Sequence, residues 1–216
     1  MTDPTEITNQ NWRENTLGMT MCGGSGAGKT TTARCLHDGY PGPSIIFNLD
    51  HEPRMGEVVE SVPELRDALA NGAERIDVRP PVTEVEEPEL FEEVVRFLLV
   101  FGKEFRNTDG RIQFLMDEAQ DLQEKWVLVA LKRLRKRRIK PVAMTQDPIS
   151  LSKRARTVAD FNAWLSPPDP DMSDNLRAHT GYPVDLLTKL EPYQMLVLGD
   201  GWEPVARFKA GAEYAE

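Results

Sequence analysis

Between a short apolar run, Leu17 to Cys22, and a segment of helical character, Lys29 to His37, the chain reads Gly23-Gly24-Ser25-Gly26-Ala27-Gly28-Lys29-Thr30. No other stretch restricts the fold as strongly. A glycine-rich turn between a buried strand and a helix lets the backbone curl until successive N–H groups face one centre. The helix contributes the positive end of its dipole, and Lys29 contributes an ammonium. That combination suits a triphosphate. Gly23-x4-Gly28-Lys29-Thr30 meets every position of the Walker A pattern, with the strand before and the helix after that the pattern requires. Gly23, Gly24, Ser25, Gly26, Ala27, Gly28, Lys29, Thr30 and Thr31 are therefore the candidate ATP-binding residues. Thr30 offers its hydroxyl to Mg2+.

The remaining periodicities alternate between strand and helix. Ser44 to Leu49 reads as a strand with Asp50 at its end, and Val62 to Asn71 as a helix stopped by Gly72. Arg75 to Val78 is a short strand. Pro80 to Glu89, with three prolines and four glutamates, is an acidic loop. Leu90, Val94, Phe97, Leu98 and Phe101 form the apolar stripe of a helix over Glu89 to Phe105. Arg111 to Met116 is a strand. Leu122 to Arg137 is a helix whose apolar face uses Leu122, Trp126, Val129, Ala130 and Leu134, and Pro141 to Thr145 is a strand. Pro167 to Pro170 is a turn or linker. Met195 to Leu198 and Val205 to Phe208 flank Gly199-Asp200-Gly201, a hairpin signal. The alternation predicts an α/β fold: a mostly parallel central sheet with helices on both faces and a C-terminal antiparallel hairpin at its edge.

Two further strand ends carry chemistry. Asp117-Glu118 follows the apolar run Ile112 to Met116; in P-loop enzymes the first acid of such a pair holds the magnesium hydration shell and the second polarises the attacking water. A dedicated base suits repeated hydrolysis better than a single phosphate transfer to a bound small molecule. Gln146 ends the next strand. Strand C-termini of a parallel sheet converge on the ligand crevice, so Gln146 can reach the γ-phosphate or the water.

Charge separates the chain into unequal parts. Lys132 to Lys140 holds seven basic residues in nine, and without those seven the net charge of −9 becomes −16. Lys136, Arg137 and Arg138 are the candidate DNA contacts. The stretch admits two readings: a grip on phosphates, or a basic helix end against an acidic neighbour. No apolar run is long enough to span a membrane, and Met1 to Glu14 is polar, without the features of a signal peptide. Cys22 and Cys35 form neither a disulfide framework nor a metal pattern, which predicts an intracellular protein with Cys22 as a small buried hydrophobe. His37, His51 and His179 lack metal-ligand spacing. Residues 1–15 read as a polar segment, and 16–216 as one domain with its core over 16–166 and a helical and hairpin extension over 167–216.

In this order the motifs resemble the FtsK–HerA superfamily of ring-forming, RecA-like P-loop ATPases that pump DNA. The likeness rests on Walker A, an acid after the second strand (Asp50), Asp117-Glu118, a basic helix end, and Thr145-Gln146-Asp147-Pro148. Arg135 to Pro148 resembles the family's Arg-x-x-Gly-Ile-(apolar)-Thr-Gln-x-Pro segment, with Arg135 at the arginine and Arg138 where the family often has glycine. Ile149 to Leu165 resembles the helix and strand that follow. The likeness covers roughly residues 16–166. It implies ATP and Mg2+ as ligands, Thr30 and Asp117 as metal holders, and Lys29, Glu118 and Gln146 as catalytic residues. It also implies an arginine from an adjacent copy, with Arg154, Arg156 and Arg135 as candidates. Partners would be double-stranded DNA, further copies in a pentameric or hexameric ring, and a capsid vertex or membrane protein. The short chain is most similar to the compact genome-packaging ATPases of archaeal and bacterial icosahedral viruses with internal membranes, which would act in the host cytoplasm or with the virion.

Other classes are weaker. A two-lobed helicase needs two motor lobes, leaving only a single-lobe helicase-like ATPase. A small-molecule kinase would want a lid and an acceptor pocket. An assembly or secretion ATPase of the zonula occludens toxin type, in which DNA is not moved, stays open.

Overall fold

The computed structural model describes residues 17–49, 53–81, 87–105, 111–179, 182–192, 194–199 and 204–209. Within them the chain forms one nine-stranded sheet, ordered β3-β4-β2-β5-β6-β1-β7-β8-β9. The strands are β1 Met19–Cys22, β2 Ser44–Phe47, β3 Glu57–Val59, β4 Arg75–Val78, β5 Ile112–Met116, β6 Ile139–Thr145, β7 Phe161–Leu165, β8 Gln194–Leu198 and β9 Pro204–Lys209. All pairings from β3 through β7 are parallel, while β7–β8 and β8–β9 are antiparallel. This is the mostly parallel sheet with an antiparallel edge that the alternation predicted.

Every residue of β1, β2, β5 and β6 is buried, as expected of parallel strands covered on both faces. Alternate side chains enter different cores. Ile45 and Phe47 of β2, and Ile112, Phe114 and Met116 of β5, meet α2 (Val62–Ala70), α3 (Glu87–Phe105) and α4 (Glu124–Arg133) on one face. Ile46 and Leu115 face the other way, toward Ala33 and Leu36 of α1 (Lys29–Asp38). Phe91 anchors the first face, edge-on to Phe47 at 5.2 Å and stacked on Phe114 at 6.4 Å between centroids. A third cluster joins Cys22, Trp164, Tyr182, Leu187 and Leu196 beneath α6 (Pro170–His179) and α7 (Val184–Leu187).

Some boundaries differ from expectation. The predicted helix over Leu122 to Arg137 stops at Arg133 and tightens into a 3-10 turn, Leu134–Arg137. Arg138 then takes a left-handed conformation, φ 60° and ψ 26°, and turns the chain into β6 two residues earlier than expected. Here α3 comes very close: a Cβ on Gly102 would lie 2.7 Å from the Arg137 Cβ. The strand β3 and the helices α6 and α7 carry too few periodic apolar residues to stand out; what was expected to be a turn at Pro170 is the first residue of α6. Residues 1–16, Asp50, His51, most of the acidic loop (82–86) and the hairpin tip (200–203) lie outside the described residues.

Candidate nucleotide site

The site collects at the C-terminal ends of three adjacent strands, β5, β6 and β1. Met116 pairs with Ala143, and Cys22 with Thr145, so the residues that follow emerge side by side. Neighbouring strands lie about 4.8 Å apart, so the loop after β1 and the acids after β5 are separated by about 10 Å, with Gln146 between them.

The loop after β1 curls as its glycines allow. Gly26 and Gly28 have φ of 73° and 93°, and the Ala27 N–H donates to the Gly24 carbonyl at 3.1 Å. Gly28 is the N-cap of α1 and has no side chain to satisfy the first helical N–H groups. An uncapped helix start presents those donors, and the dipole's positive end, to an anion. Lys29 is 9% exposed, with Nζ donating to the carbonyls of Gly23 (2.9 Å) and Gly24 (3.3 Å). Ser25, Gly26, Thr30 and Thr31 are exposed. Packing favours glycine at Gly23 as well: a Cβ there would lie 3.0 Å from the Leu165 carbonyl oxygen.

Glu118 is a strained point, with φ 41° and 7% exposure. Backbone bonds lock it, from Asp117 N–H to Phe47 O (3.0 Å) and from Ala119 N–H to Met144 O (2.7 Å). Its two carboxylate oxygens are held by different amides: Gln146 Nε2 donates to Oε1, and Gln120 Nε2 donates to Oε2 at 2.8 Å. Gln120 also reaches Asp121 at 3.0 Å. The sequence reading missed Gln120; its place two residues after Glu118, in the turn leaving β5, was the available signal. Asp117 is half-buried beside them.

The segment after β6 is a tight turn. Thr145 Oγ1 donates to the Asp147 carbonyl (2.9 Å), and Asp147 accepts from the Ile149 N–H (2.9 Å). Arg156, expected as an exposed arginine acting on a neighbouring copy, is instead 3% exposed, and its Nη1 donates to the carbonyls of both Pro148 and Leu151. Its reach is consumed inside its own chain, holding the turn that carries Gln146. Arg154, two residues earlier on α5 (Lys153–Val158), is exposed.

The other cations lie at the opposite end of the sheet. Arg135 pairs with Asp160, whose second oxygen accepts from the Gly18 N–H (2.8 Å) just before β1. Arg138 and Gln146 bracket the whole of β6, about 25 Å apart along the strand. Lys136 is exposed there, and Arg137 and Arg138 are half-buried. Neither Arg135 nor this basic turn can touch the phosphate loop of its own chain.

Among the described residues no group of three or more His, Cys, Asp or Glu could hold a metal ion. The oxygens of Thr30 and Asp117 suit a hard cation bound mainly through phosphate oxygens and water, which is how Mg2+ is normally held. Both cysteines are unpaired. Burial pushes the Cys22 thiol up to about 11, so it is an inert part of the core. No described helix is long and apolar enough to cross a membrane.

No protein-family model matches the sequence, and no curated protein matches it. Solved structures do match. The chain is similar to the genome packaging NTPase B204 of Sulfolobus turreted icosahedral virus 2 in complex with ATP-gammaS, at 15% identity over 88% of this chain and 95% of that one, with a TM-score of 0.66. The DNA-packaging ATPase B204 of Sulfolobus turreted icosahedral virus gives 15% identity over 88% and 96%, TM-score 0.66. ATPases 2 and 3 of EssC from Geobacillus thermodenitrificans are similar at 12% identity over 92% of this chain and 40% of that chain, TM-score 0.55. The likeness is one of fold. The chain has the RecA-like P-loop ATPase architecture that the FtsK–HerA resemblance implied, at close to the full length of the viral proteins.

Proposed function

We propose that the chain is a Mg2+-dependent ATPase and a DNA-translocating motor, working as a pentameric or hexameric ring that moves double-stranded DNA into a viral capsid. The observation that carries this reading is the Glu118 carboxylate held between two amides, one of them Gln146 on the strand between the phosphate loop and the acid pair. A clamped carboxylate at this place is a built general base. In hydrolysis the water oxygen bonds to the γ-phosphorus as the bridging bond to the β-phosphate breaks. Glu118 takes the water's proton and ADP leaves. The Gly28 and Lys29 N–H groups and the Lys29 ammonium face the phosphates. Lys29 gives up the Gly23 and Gly24 carbonyls to do so. When bound with the nucleotide, Mg2+ would be held by Thr30 and Asp117 and would supply charge neutralisation for the phosphates. Gln146 bonds both to Glu118 and, once nucleotide is present, toward the γ-phosphate, so it carries the state of the site to β6.

A cation offsetting the transition-state charge would come from the adjacent copy. Arg154, exposed next to the Gln146 turn, fits that role better than Arg156. Arg135 fits it only in trans. Lys136 with Arg137 and Arg138 is the proposed DNA contact. The ring's partner at the capsid would be a vertex or membrane protein, in the host cytoplasm or virion.

A fold likeness to the cytoplasmic domain of the type VII secretion ATPase EccC of Thermomonospora curvata, TM-score 0.53, supports a second reading, an assembly or secretion ATPase that does not move DNA. Turnover with and without duplex DNA, alongside Lys29→Ala and a native mass measurement, separates them. Strong DNA stimulation and a ring mass support the motor. Turnover indifferent to DNA supports the second reading, and no turnover in any state of assembly overturns both.

A further inference from the structure

Ser166 follows the last residue of β7 with φ 59°, a left-handed conformation that L side chains rarely adopt. Its polar groups are tied down on three sides. The N–H donates to the Gln194 carbonyl at 2.7 Å, and its own carbonyl accepts from Trp164 Nε1 at 2.8 Å. The hydroxyl donates to the Ala27 carbonyl, inside the phosphate loop, at 3.3 Å. Trp164 is itself immobilised, fully buried and edge-on to Tyr182 at 5.4 Å between ring centroids. One residue earlier, Leu165 packs tightly on Gly23: a Cβ there would be 3.0 Å from its oxygen and 3.1 Å from its Cβ, closer than ordinary van der Waals contact. The end of β7 therefore presses the loop at its first residue and holds it at its fifth. Backbone strain survives only where the surroundings over-determine it, and it gathers at functional sites.

The grip has a directional consequence. A trans peptide is planar, with its C=O and N–H pointing in opposite directions. Holding the Ala27 carbonyl toward Ser166 turns the Gly28 N–H away from β7, toward the side of the loop where a phosphate would sit. We propose that Ser166 is a positioning residue of the nucleotide site: its hydroxyl sets the Ala27–Gly28 peptide so that the Gly28 N–H meets the phosphate. This rests on the reading of the loop as an ATP site. It adds a residue from the β7 end that no part of the phosphate-loop motif contains.

The test is calorimetric titration of Mg-ATP into full-length wild type, Ser166→Gly, Ser166→Asn and Lys29→Ala, with melting temperatures of the ligand-free proteins. Glycine keeps the left-handed backbone and deletes the hydroxyl; asparagine tolerates that backbone and offers an amide donor. The expected result is about a three- to tenfold loss of affinity in Ser166→Gly, the worth of one hydrogen bond. Its melting temperature should be unchanged or higher, and Ser166→Asn should regain part of the affinity. Unchanged affinity in Ser166→Gly overturns the inference while leaving the ATP site intact. Affinity lost only in step with melting temperature, in both variants, shows a structural role and overturns it too. If wild type binds no more tightly than Lys29→Ala, the ATP-site reading fails and this inference fails with it.

Discussion

The two ends of the parallel sheet are built on opposite plans. At the C-terminal end, where β1, β5, β6 and β7 finish, carboxylates and amides meet an uncapped helix start, and two non-glycine residues, Glu118 and Ser166, sit at positive φ. Each is fastened by bonds that cross from one strand's loop to another's. At the N-terminal end most of the charged groups are cationic. They serve mostly as staples: Arg135 to Asp160, and Arg75 to the carbonyls of Asp38 (2.7 Å), Tyr40 (2.6 Å) and Gly42 (2.9 Å). One strained residue occurs there too, Arg138. Strain bound into the reaction site should be needed for turnover. Strain outside it should be removable at a gain in stability.

The largest expected effect tests the first half of that contrast. Glu118→Gln should lower turnover by about 10²–10⁴-fold, the usual contribution of a general base, while ATP still binds. Gln146→Ala, which removes one of the two amides on Glu118, should cost about 10–100-fold, as loss of an orienting partner does. Single-turnover hydrolysis with a parallel binding titration measures both. Equal turnover in Glu118→Gln and wild type would mean the clamped carboxylate is not the base.

Next comes the pair on α5, which separates a staple from the proposed trans cation two residues away. Arg156→Leu leaves the buried carbonyls of Pro148 and Leu151 without their donor and should cost about 2–3 kcal/mol of stability. Arg154→Ala is exposed and should leave stability within about 0.5 kcal/mol. If Arg154 reaches a neighbour's nucleotide, its loss should cut turnover by about 10³-fold or more without weakening ATP binding. Urea unfolding and steady-state turnover on the same samples decide the matter. Stability loss in Arg154→Ala and not in Arg156→Leu would reverse the assignment.

This pair also shows how far the chain could be read in advance. The phosphate loop was legible because its chemistry is local: eight consecutive residues hold the glycines, the lysine and the threonine. Asp117, Glu118 and Gln146 were legible because a parallel sheet brings consecutive strand ends to one crevice. Arg154 and Arg156 were indistinguishable, since their exposure depends on where Pro148 and Leu151 fold back, which no periodicity encodes. Ser166 and Gln120 were missed for the same reason. Their partners, Ala27 and Glu118, are set by the sheet order and by a turn whose backbone is unusual. The edge order β1-β7-β8 is not written in any short segment.

The smallest effects belong to the far end and sharpen the other half of the contrast. His37 is fully buried, and its Nδ1 meets the Ser44 hydroxyl at 2.8 Å. Burial pushes its imidazole below its ordinary value of 6.5, and the Arg75 guanidinium adds to the push. The unfolded chain therefore takes up a proton at a higher pH than the folded one. The stability tied to His37 is complete above pH 6.5 and falls as pH drops below that value, at up to about 1.4 kcal/mol per pH unit. His37→Gln should flatten the decline between pH 6.5 and 5 in urea unfolding. A decline equally steep in both proteins would assign it to other groups.

Arg138 is the complementary case, a strained residue that the site does not use. It stands where the resembling family often has glycine, at φ 60°. Leaving the left-handed region to glycine recovers roughly 1–2 kcal/mol, and the greater freedom of glycine in the unfolded chain takes back about 0.5–1 kcal/mol. The net gain from Arg138→Gly is about 0.5–1 kcal/mol, or roughly 1–4 °C in melting temperature for a chain of this length. Arg138→Ala removes the same charge and keeps the strain, so it should show no gain. If both variants stabilise equally, the benefit comes from thinning the positive charge of the turn, and the backbone is not strained there. If Arg138→Gly alone stabilises and DNA-stimulated turnover persists, the strain at this end is dispensable, unlike that at Glu118.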